Sequence, residues 1–268
     1  MGSAAERERL IASLASGGVI APQEEADLLL SSAGREPGSL DRLLSRRLAG
    51  EPLAWIVGWT SFCGLSIHVD PGVFVPRPHS EALARRAVAL LPPDGVAVDL
   101  CTGSGAIAAV LAHAHPAATV VATDVDPVAV ACARTNGVHT LLGDLDEPLP
   151  ETIRGGVDVL TAVVPYVPTE ELPLLPRDVL AHESPLALDG GPRGTRALRR
   201  AVQVAARWLR PGGTVLLEIG GDQAEELTAA LIEAGFSDVA VIDDGDGQDR
   251  AIEAVRPDQP RERDGSAP

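Results

Sequence analysis

Apolar positions near the start of the chain recur at helical spacing and stop at glycines. Leu10, Ile11 and Leu14 precede Gly17-Gly18; Ala26, Leu29 and Leu30 precede Gly34; Leu40, Leu43, Leu44 and Leu48 precede Gly50. The pattern predicts three helices, each closing on a glycine that can turn left-handed. Arg42, Arg46 and Arg47 give the third helix a polar face, expected to be solvated. The period then shortens. Trp55, Ile56, Val57, Trp59 and Phe62 lie before Gly64, and Leu65, Ile67 and Val69 lie after it. Apolar residues on both sides of a glycine turn predict a β-hairpin. Pro71-Gly72 and Pro76-Arg77-Pro78 end it.

From Ser80 onward, strand-length apolar runs alternate with helix-length amphipathic ones. The pattern predicts a helix over 81–91, then strand 96–100 and helix 105–113, strand 119–123 and helix 127–136. A short strand follows at 138–142, another at 157–163, and a helix over 195–209. Strand 214–219, helix 223–234 and two strands at 239–242 and 251–255 complete the series. Such alternation implies an α/β fold with a largely parallel sheet covered on both faces. The last two strands have no room for a crossover helix between them, so they should pair antiparallel. The expected organisation is a helical domain over 1–52, a hairpin linker over 53–78, a catalytic domain over 79–256 and a disordered, Pro-, Asp- and Arg-rich tail over 257–268.

The 268 residues suffice for one large and one small domain. No apolar run reaches the roughly 18 residues that span a bilayer. The charged start, Met1 to Arg9, lacks an apolar signal core, so a cytoplasmic location without a membrane is expected. Net charge is −16, which argues against a nucleic-acid partner. Every basic residue is Arg, so neither a P-loop lysine nor a Schiff base is available. Cys63, Cys101 and Cys132 lack metal-type spacing; reduced thiols and no metal are expected.

Chemistry concentrates where strand 96–100 meets its helix, in Asp99-Leu100-Cys101-Thr102-Gly103-Ser104-Gly105. A glycine-rich turn lets backbone approach a ligand closely. Asp124 closes the next strand, where a carboxylate can accept hydrogen bonds from ribose hydroxyls. A dehydrogenase turn would carry a third glycine, absent here; Asp126, before Pro127, is expected to cap the next helix. Asp144 ends the third strand region and could accept from an adenine amino group. Residues 166–182 are long, acidic and proline-rich, as active-site lids are. His182-Glu183 is a candidate acid/base pair beside the site.

The chain resembles the HemK/PrmC-like protein-(glutamine N5) methyltransferases, which modify peptide-release factors. The likeness runs from Arg47-Leu48-Ala49-Gly50-Glu51-Pro52-Leu53 through Ile56-Val57-Gly58-Trp59, Val69-Asp70-Pro71, and Val75-Pro76-Arg77-Pro78 with Glu81. It continues in 99–108, Leu188-Asp189-Gly190-Gly191, Leu217-Glu218-Ile219-Gly220 and Gly247-Gln248-Asp249-Arg250. It implies a class I fold, a Rossmann-like sheet of seven strands with the last antiparallel, and S-adenosyl-L-methionine (SAM) as cofactor. By that resemblance, Cys101, Thr102, Gly103, Ser104, Gly105, Asp124, Asp144, Leu145 and Val163 should hold SAM. Val164, Pro165 and Tyr166 should form the catalytic wall, and Arg77 with Val163 to Tyr166 should meet the acceptor.

The family ends its fourth strand in Asn-Pro-Pro-Tyr, whose Asn holds the substrate amide. Here the motif reads Val163-Val164-Pro165-Tyr166. An amide nitrogen is a poor nucleophile and must be oriented; valine offers it no acceptor. The loss is expected to cost roughly 3 kcal/mol, about a hundredfold in rate. The acceptor is therefore a release-factor glutamine, another protein residue or a small molecule with a better nucleophile; a SAM-binding protein without catalysis is the remaining alternative. Cys101 replaces the family's first loop glycine, which costs about 1 kcal/mol if that position needs positive φ.

Overall fold

The computed structural model describes residues 4–34, 36, 38–175, 177–243 and 248–258. Helices α1 (Ala4–Ser16), α2 (Pro22–Ser32) and α3 (Ser39–Leu48) form where the apolar spacing puts them. They enclose a small core of Leu10, Leu14, Ala26, Leu29, Leu40 and Leu44. The arginine face of α3 is ion-paired as well as solvated. Arg47 reaches Glu25 at 2.6 Å with both side chains mostly buried, and Arg46 reaches Glu51 at 2.5 Å.

The expected hairpin begins later than its pattern suggests. Leu53–Val57 is a one-turn helix, α4, between Pro52 and Gly58, whose φ of 86° closes it left-handed. Helical spacing sends Ile56 into the small helical core and Ala54 and Trp55 into the core of the larger body. Trp55 Nε1 donates to the Val73 carbonyl at 2.8 Å, so α4 fastens the two bodies together. The hairpin proper is β1 (Trp59–Phe62) with β2 (Leu65–His68), antiparallel around Cys63-Gly64.

The remaining elements follow the expected alternation. They are α5 (Ser80–Leu90), β3 (Val96–Leu100), α6 (Ala106–Ala114), β4 (Thr119–Asp124), α7 (Pro127–Thr135), β5 (Thr140–Leu142) and β6 (Val157–Ala162). Then come α8 (Arg177–His182), α9 (Pro185–Leu188), α10 (Arg196–Trp208), β7 (Leu209–Glu218), α11 (Gln223–Glu233), β8 (Ser237–Asp243) and β9 (Asp249–Val255). β7 starts five residues before the predicted strand because Leu209 already pairs with Val157 ahead of a bulge. Asp126 caps α7, accepting from Val128 N at 2.8 Å, as its position before Pro127 predicts. Residues 259–268 of the expected tail lie outside the described residues.

The seven strands order as β5-β4-β3-β6-β7-β9-β8. β3 pairs parallel with β4 and β6, and β9 is antiparallel to both its neighbours. Helices α5, α6 and α7 cover one face through Leu83, Ala87, Ile107, Leu111 and Ala129. On the other face α10 and α11 bury Leu198, Val202, Trp208, Leu227 and Leu231. No described helix is long and apolar enough to cross a membrane.

The turn after β3 is set by close packing. Gly105 sits at φ 79°, and a Cβ there would lie 2.9 Å from Ala133 Cβ and 3.1 Å from Val138 Cγ2. Gly105→Ala is therefore expected to destabilise the protein by about 2–4 kcal/mol, combining left-handed strain with overpacking. Chemical denaturation of variant and wild type measures it.

Candidate active site

The C-terminal ends of β3, β4 and β6 open onto a cavity of about 560 Å³. It sits at the sheet edge where open α/β sheets bind ligands, beside the first strand's turn. One side is the turn itself. Thr102 N donates to the Thr123 carbonyl at 3.0 Å, and Thr102 Oγ1 donates to Asp99 Oδ2 at 2.5 Å. Cys101 takes φ 54°. The chain thus carries a side chain at a left-handed position, with the strain that entails. Burial, then the charges of Asp124, Asp99 and Asp144, push the Cys101 thiol far above its usual range. Burial also raises the Cys63 thiol, and it raises Cys132 to about 11.

Two carboxylates face this turn. Asp124 Oδ2 accepts from Gly103 N at 2.8 Å, and Asp124 Oδ1 accepts from Asp126 N at 2.9 Å. Each oxygen keeps lone pairs for further donors such as ribose hydroxyls. Burial nonetheless raises the carboxyl above its ordinary value. Asp99 is buried at the end of β3 and lifted to about 6, chiefly by burial; hydrogen bonds from Thr102 and Thr161 work the other way. Gly103, at φ 57°, has open space where a Cβ would point, and Ser104 Oγ is buried without a partner among the described residues. Open space over a glycine, an unused hydroxyl and two acids suit a ligand carrying a ribose and a cationic amino-acid end. The residues present therefore fit SAM.

Positions given to one site by sequence divide in the structure. Cys101, Thr102, Gly103, Ser104, Asp124, Asp144, Leu145, Val163, Val164, Pro165, Tyr166 and Arg77 all line the cavity. Gly105 does not; its lack of a side chain serves α7. Asp144 Oδ2 accepts from Arg200 Nη2 at 2.8 Å, so an arginine already holds the acid expected to meet adenine. Leu145 beside it is buried at φ 51°. The His182-Glu183 pair is corrected. Glu183 is buried and bound by Arg77, while His182 meets the edge of Trp55 with ring centroids 6.1 Å apart. Neither lines the cavity. The stretch 166–182, read as lid-like, carries a tight turn at Leu172–Leu174 and α8, and lends Leu175 and Val179 to the cavity wall.

Sequence reasoning gave no role to His79, Ser80 or Arg200, which line the cavity, or to Glu218 just behind it. His79 and Ser80 sit at the start of α5, next to Pro76-Arg77-Pro78. That proximity to a proline-broken segment was the available signal. Folding also gathers His68, Asp70 and Cys132, whose ligand-type atoms lie within 4.8 Å of one another. Sequence separation concealed this group. Cys132 Sγ accepts from Asp70 N and donates to the His68 carbonyl, both at 3.4 Å, joining β2 to α7.

The segment after β6 is held from behind. Gln223 Nε2 donates to the Tyr166 carbonyl at 2.8 Å, and Val167 N donates to the Leu188 carbonyl at 3.0 Å. The Tyr166 ring lies flush on Gly220, where a Cβ would come within 2.9 Å of Cε2. A Cβ on Gly194 would stand 2.0 Å from the Tyr166 carbonyl oxygen.

Residues 81–243 match the model of the FtsJ-like methyltransferase family. A release factor glutamine methyltransferase of Mycolicibacterium smegmatis is 38% identical, covering 93% of this chain and 96% of its own. The chain belongs to the release factor glutamine methyltransferase family. It is a SAM-dependent methyltransferase. A 4-amino-L-phenylalanine/4-methylamino-L-phenylalanine methyltransferase of Streptomyces pristinaespiralis is also similar, 35% identical over 83% of this chain and 84% of its own. Among solved structures, a methyltransferase from Pyrococcus furiosus shares the fold, with TM-score 0.54 and 21% identity, covering 81% of this chain and 99% of that one.

Two predictions follow from the donor side of the enzyme. A cation binds the ionised form of Asp99 better, so donor affinity should be full above about pH 6. Below that value the acid must first lose its proton, and affinity should fall by up to about tenfold per pH unit. Calorimetric titration with SAM between pH 5 and pH 8 checks this, and Asp99→Asn should flatten the profile. Cys101→Gly relieves about 1 kcal/mol of left-handed strain but frees the unfolded chain and loses a packed thiol, so the stability of the unliganded enzyme is expected to stay within about 1 kcal/mol of wild type. Thermal unfolding compares the two.

Proposed function

We propose that the enzyme methylates an amine nitrogen of a small molecule, with an aromatic amine as the favoured class. The observation that carries this reading is Val163, which lines the cavity where the family's amide-holding Asn would stand. Val164, Leu175, Val179 and Phe74 continue an apolar wall around it. Bound SAM supplies an electrophilic methyl on a sulfonium, and the chain supplies alignment and exclusion of water. A carboxamide shares its lone pair with its carbonyl and needs the missing polar grip. An aromatic amine is uncharged near neutrality, keeps a usable lone pair and has an apolar ring to bury against such a wall. The likeness to the aminophenylalanine methyltransferase supports this class, since that relative is named for an aromatic amine. A cavity of about 560 Å³ is within the range of sites that hold small ligands. We place the activity in the cytoplasm, where the three free cysteines stay reduced.

A release-factor glutamine is the competing acceptor, favoured by the retained Pro165-Tyr166 and by the Mycolicibacterium relative. Incubation with methyl-labelled SAM and either 4-amino-L-phenylalanine or a purified release factor separates the two. Label is expected in the amine, with transfer to the release factor about a hundredfold slower. Val163→Asn should raise glutamine methylation, or at least not lower it. Rapid labelling of the release factor by the wild type would restore the family's acceptor, and donor binding without transfer to either would end the enzymatic reading.

A further inference from the structure

Behind the acceptor wall lies a buried carboxylate that the donor site does not use. Glu218 ends β7 at 1% exposure, and both its oxygens are buried without a hydrogen-bond partner among the described residues. Burying an unpaired carboxylate is costly, so such a group calls for a cation or a proton donor. His79, at the start of α5, has its Nε2 3.4 Å from Glu218 Oε1, and this nitrogen too is buried and without a hydrogen bond. The imidazole lines the cavity together with Tyr166. With Nε2 turned to Glu218, Nδ1 is the nitrogen available to a bound acceptor. Burial, then the charge of Glu218 and the closeness of its carboxylate to the hydroxyl, raise the Tyr166 phenol, so tyrosine stays protonated beside this acid. The other charges near this group are Arg77, from the segment before α5, and Arg250 of β9, both acting on Tyr166, with Glu183 paired to Arg77.

We propose that His79, backed by Glu218, is the proton acceptor of the transfer reaction; this rests on the amine reading above. The amine lone pair bonds to the methyl carbon while the carbon–sulfur bond breaks and its electron pair stays on sulfur. A neutral thioether leaves, and the nitrogen carries one proton too many. That proton passes to His79 Nδ1, Glu218 balances the imidazolium, and water later takes the proton. The apolar wall cannot do this, because Val163 and Val164 carry no titratable group. Proton removal inside the cavity also restores the lone pair that a second methylation of the same nitrogen needs. His79 is then a catalytic residue and Glu218 a positioning residue.

The test uses the full chain as wild type, His79→Ala and Glu218→Gln. Calorimetry with SAM should give dissociation constants within about threefold of one another, since neither group serves the donor. Turnover of 4-amino-L-phenylalanine should fall about a hundredfold in His79→Ala, the range for loss of a general base. At saturating SAM, which removes the acid limb set by Asp99, the wild type should lose rate as pH falls and His79 becomes protonated; this limb should vanish in His79→Ala and move to lower pH in Glu218→Gln. In carbon-labelled histidine spectra, the His79 titration midpoint should also drop in Glu218→Gln. Loss of SAM affinity in step with activity, an unchanged pH profile, or an unmoved His79 midpoint would each overturn the dyad. A wild type that methylates the release factor but not the amine sinks the amine reading alone, and the same profile on the release factor then judges the dyad. A wild type that labels neither substrate overturns both.

Discussion

Strand β3 lies between β4 and β6, parallel to both, and this pairing builds the site. Its register sets Leu100 beside Thr123 on one side and beside Ala162 on the other. The strand ends therefore emerge level, and the loops that follow must share one edge. The proposed donor turn leaves β3, the acid at Asp124 closes β4, and the proposed acceptor segment Val163 to Tyr166 leaves β6. None of these segments is adjacent in the chain. The ladder hydrogen bonds of a buried parallel sheet hold them at fixed spacing, because a one-residue slip would send every core side chain to the wrong face. Methyl transfer requires donor and acceptor to be aligned, and with the proposed site residues sheet register would perform that alignment.

What could be read from the chain follows from which signals are local. Strand–helix alternation is local, so the sheet, its antiparallel closing pair and the cap at Asp126 were all legible. The glycine-rich turn was legible because glycines and acids sit at fixed offsets along one βαβ unit. The helix Leu53–Val57 was not, since its five residues are too few to show a period, and Pro52 and Gly58 decide their conformation. Gly105 was misread for a different reason. Its glycine signal is real, but the constraint comes from Ala133, a residue one helix later. The ion pairs Arg77–Glu183 and Arg200–Asp144 and the His79–Glu218 approach join residues far apart in sequence. No spacing rule reaches them.

The later matching segments of the chain acquire a physical meaning in the structure. Apart from Glu218, residues 188–194 and 217–223 take no part in the proposed transfer chemistry. They clamp the acceptor wall: Leu188 accepts from Val167 N, Gly190 N donates to the Val167 carbonyl, and Gln223 holds the Tyr166 carbonyl. Gly194 and Gly220 let these strands of backbone close directly onto Tyr166. A wall fixed by backbone on two sides tolerates a change of its own side chains. That explains how Val163 can replace a polar residue while the shape of the segment persists. Specificity can change at the face of a wall whose support stays the same.

Two buried acids show how this sheet edge divides its labour. Asp99 accepts hydrogen bonds from Thr102 and Thr161, so its ionised form is supported in place and can face a cation without a dedicated base. Glu218 has no threonine donors; it faces the Tyr166 hydroxyl and a histidine at 3.4 Å. Equal burial therefore leads to different chemistry. In the proposed roles the supported acid serves steady electrostatics toward the donor, whereas Glu218 is stabilised most when its histidine neighbour becomes a cation. A carboxylate that gains most at the moment its partner takes a proton favours the transition state over the resting enzyme, which is the condition for a group to accelerate a reaction and not merely bind its substrate.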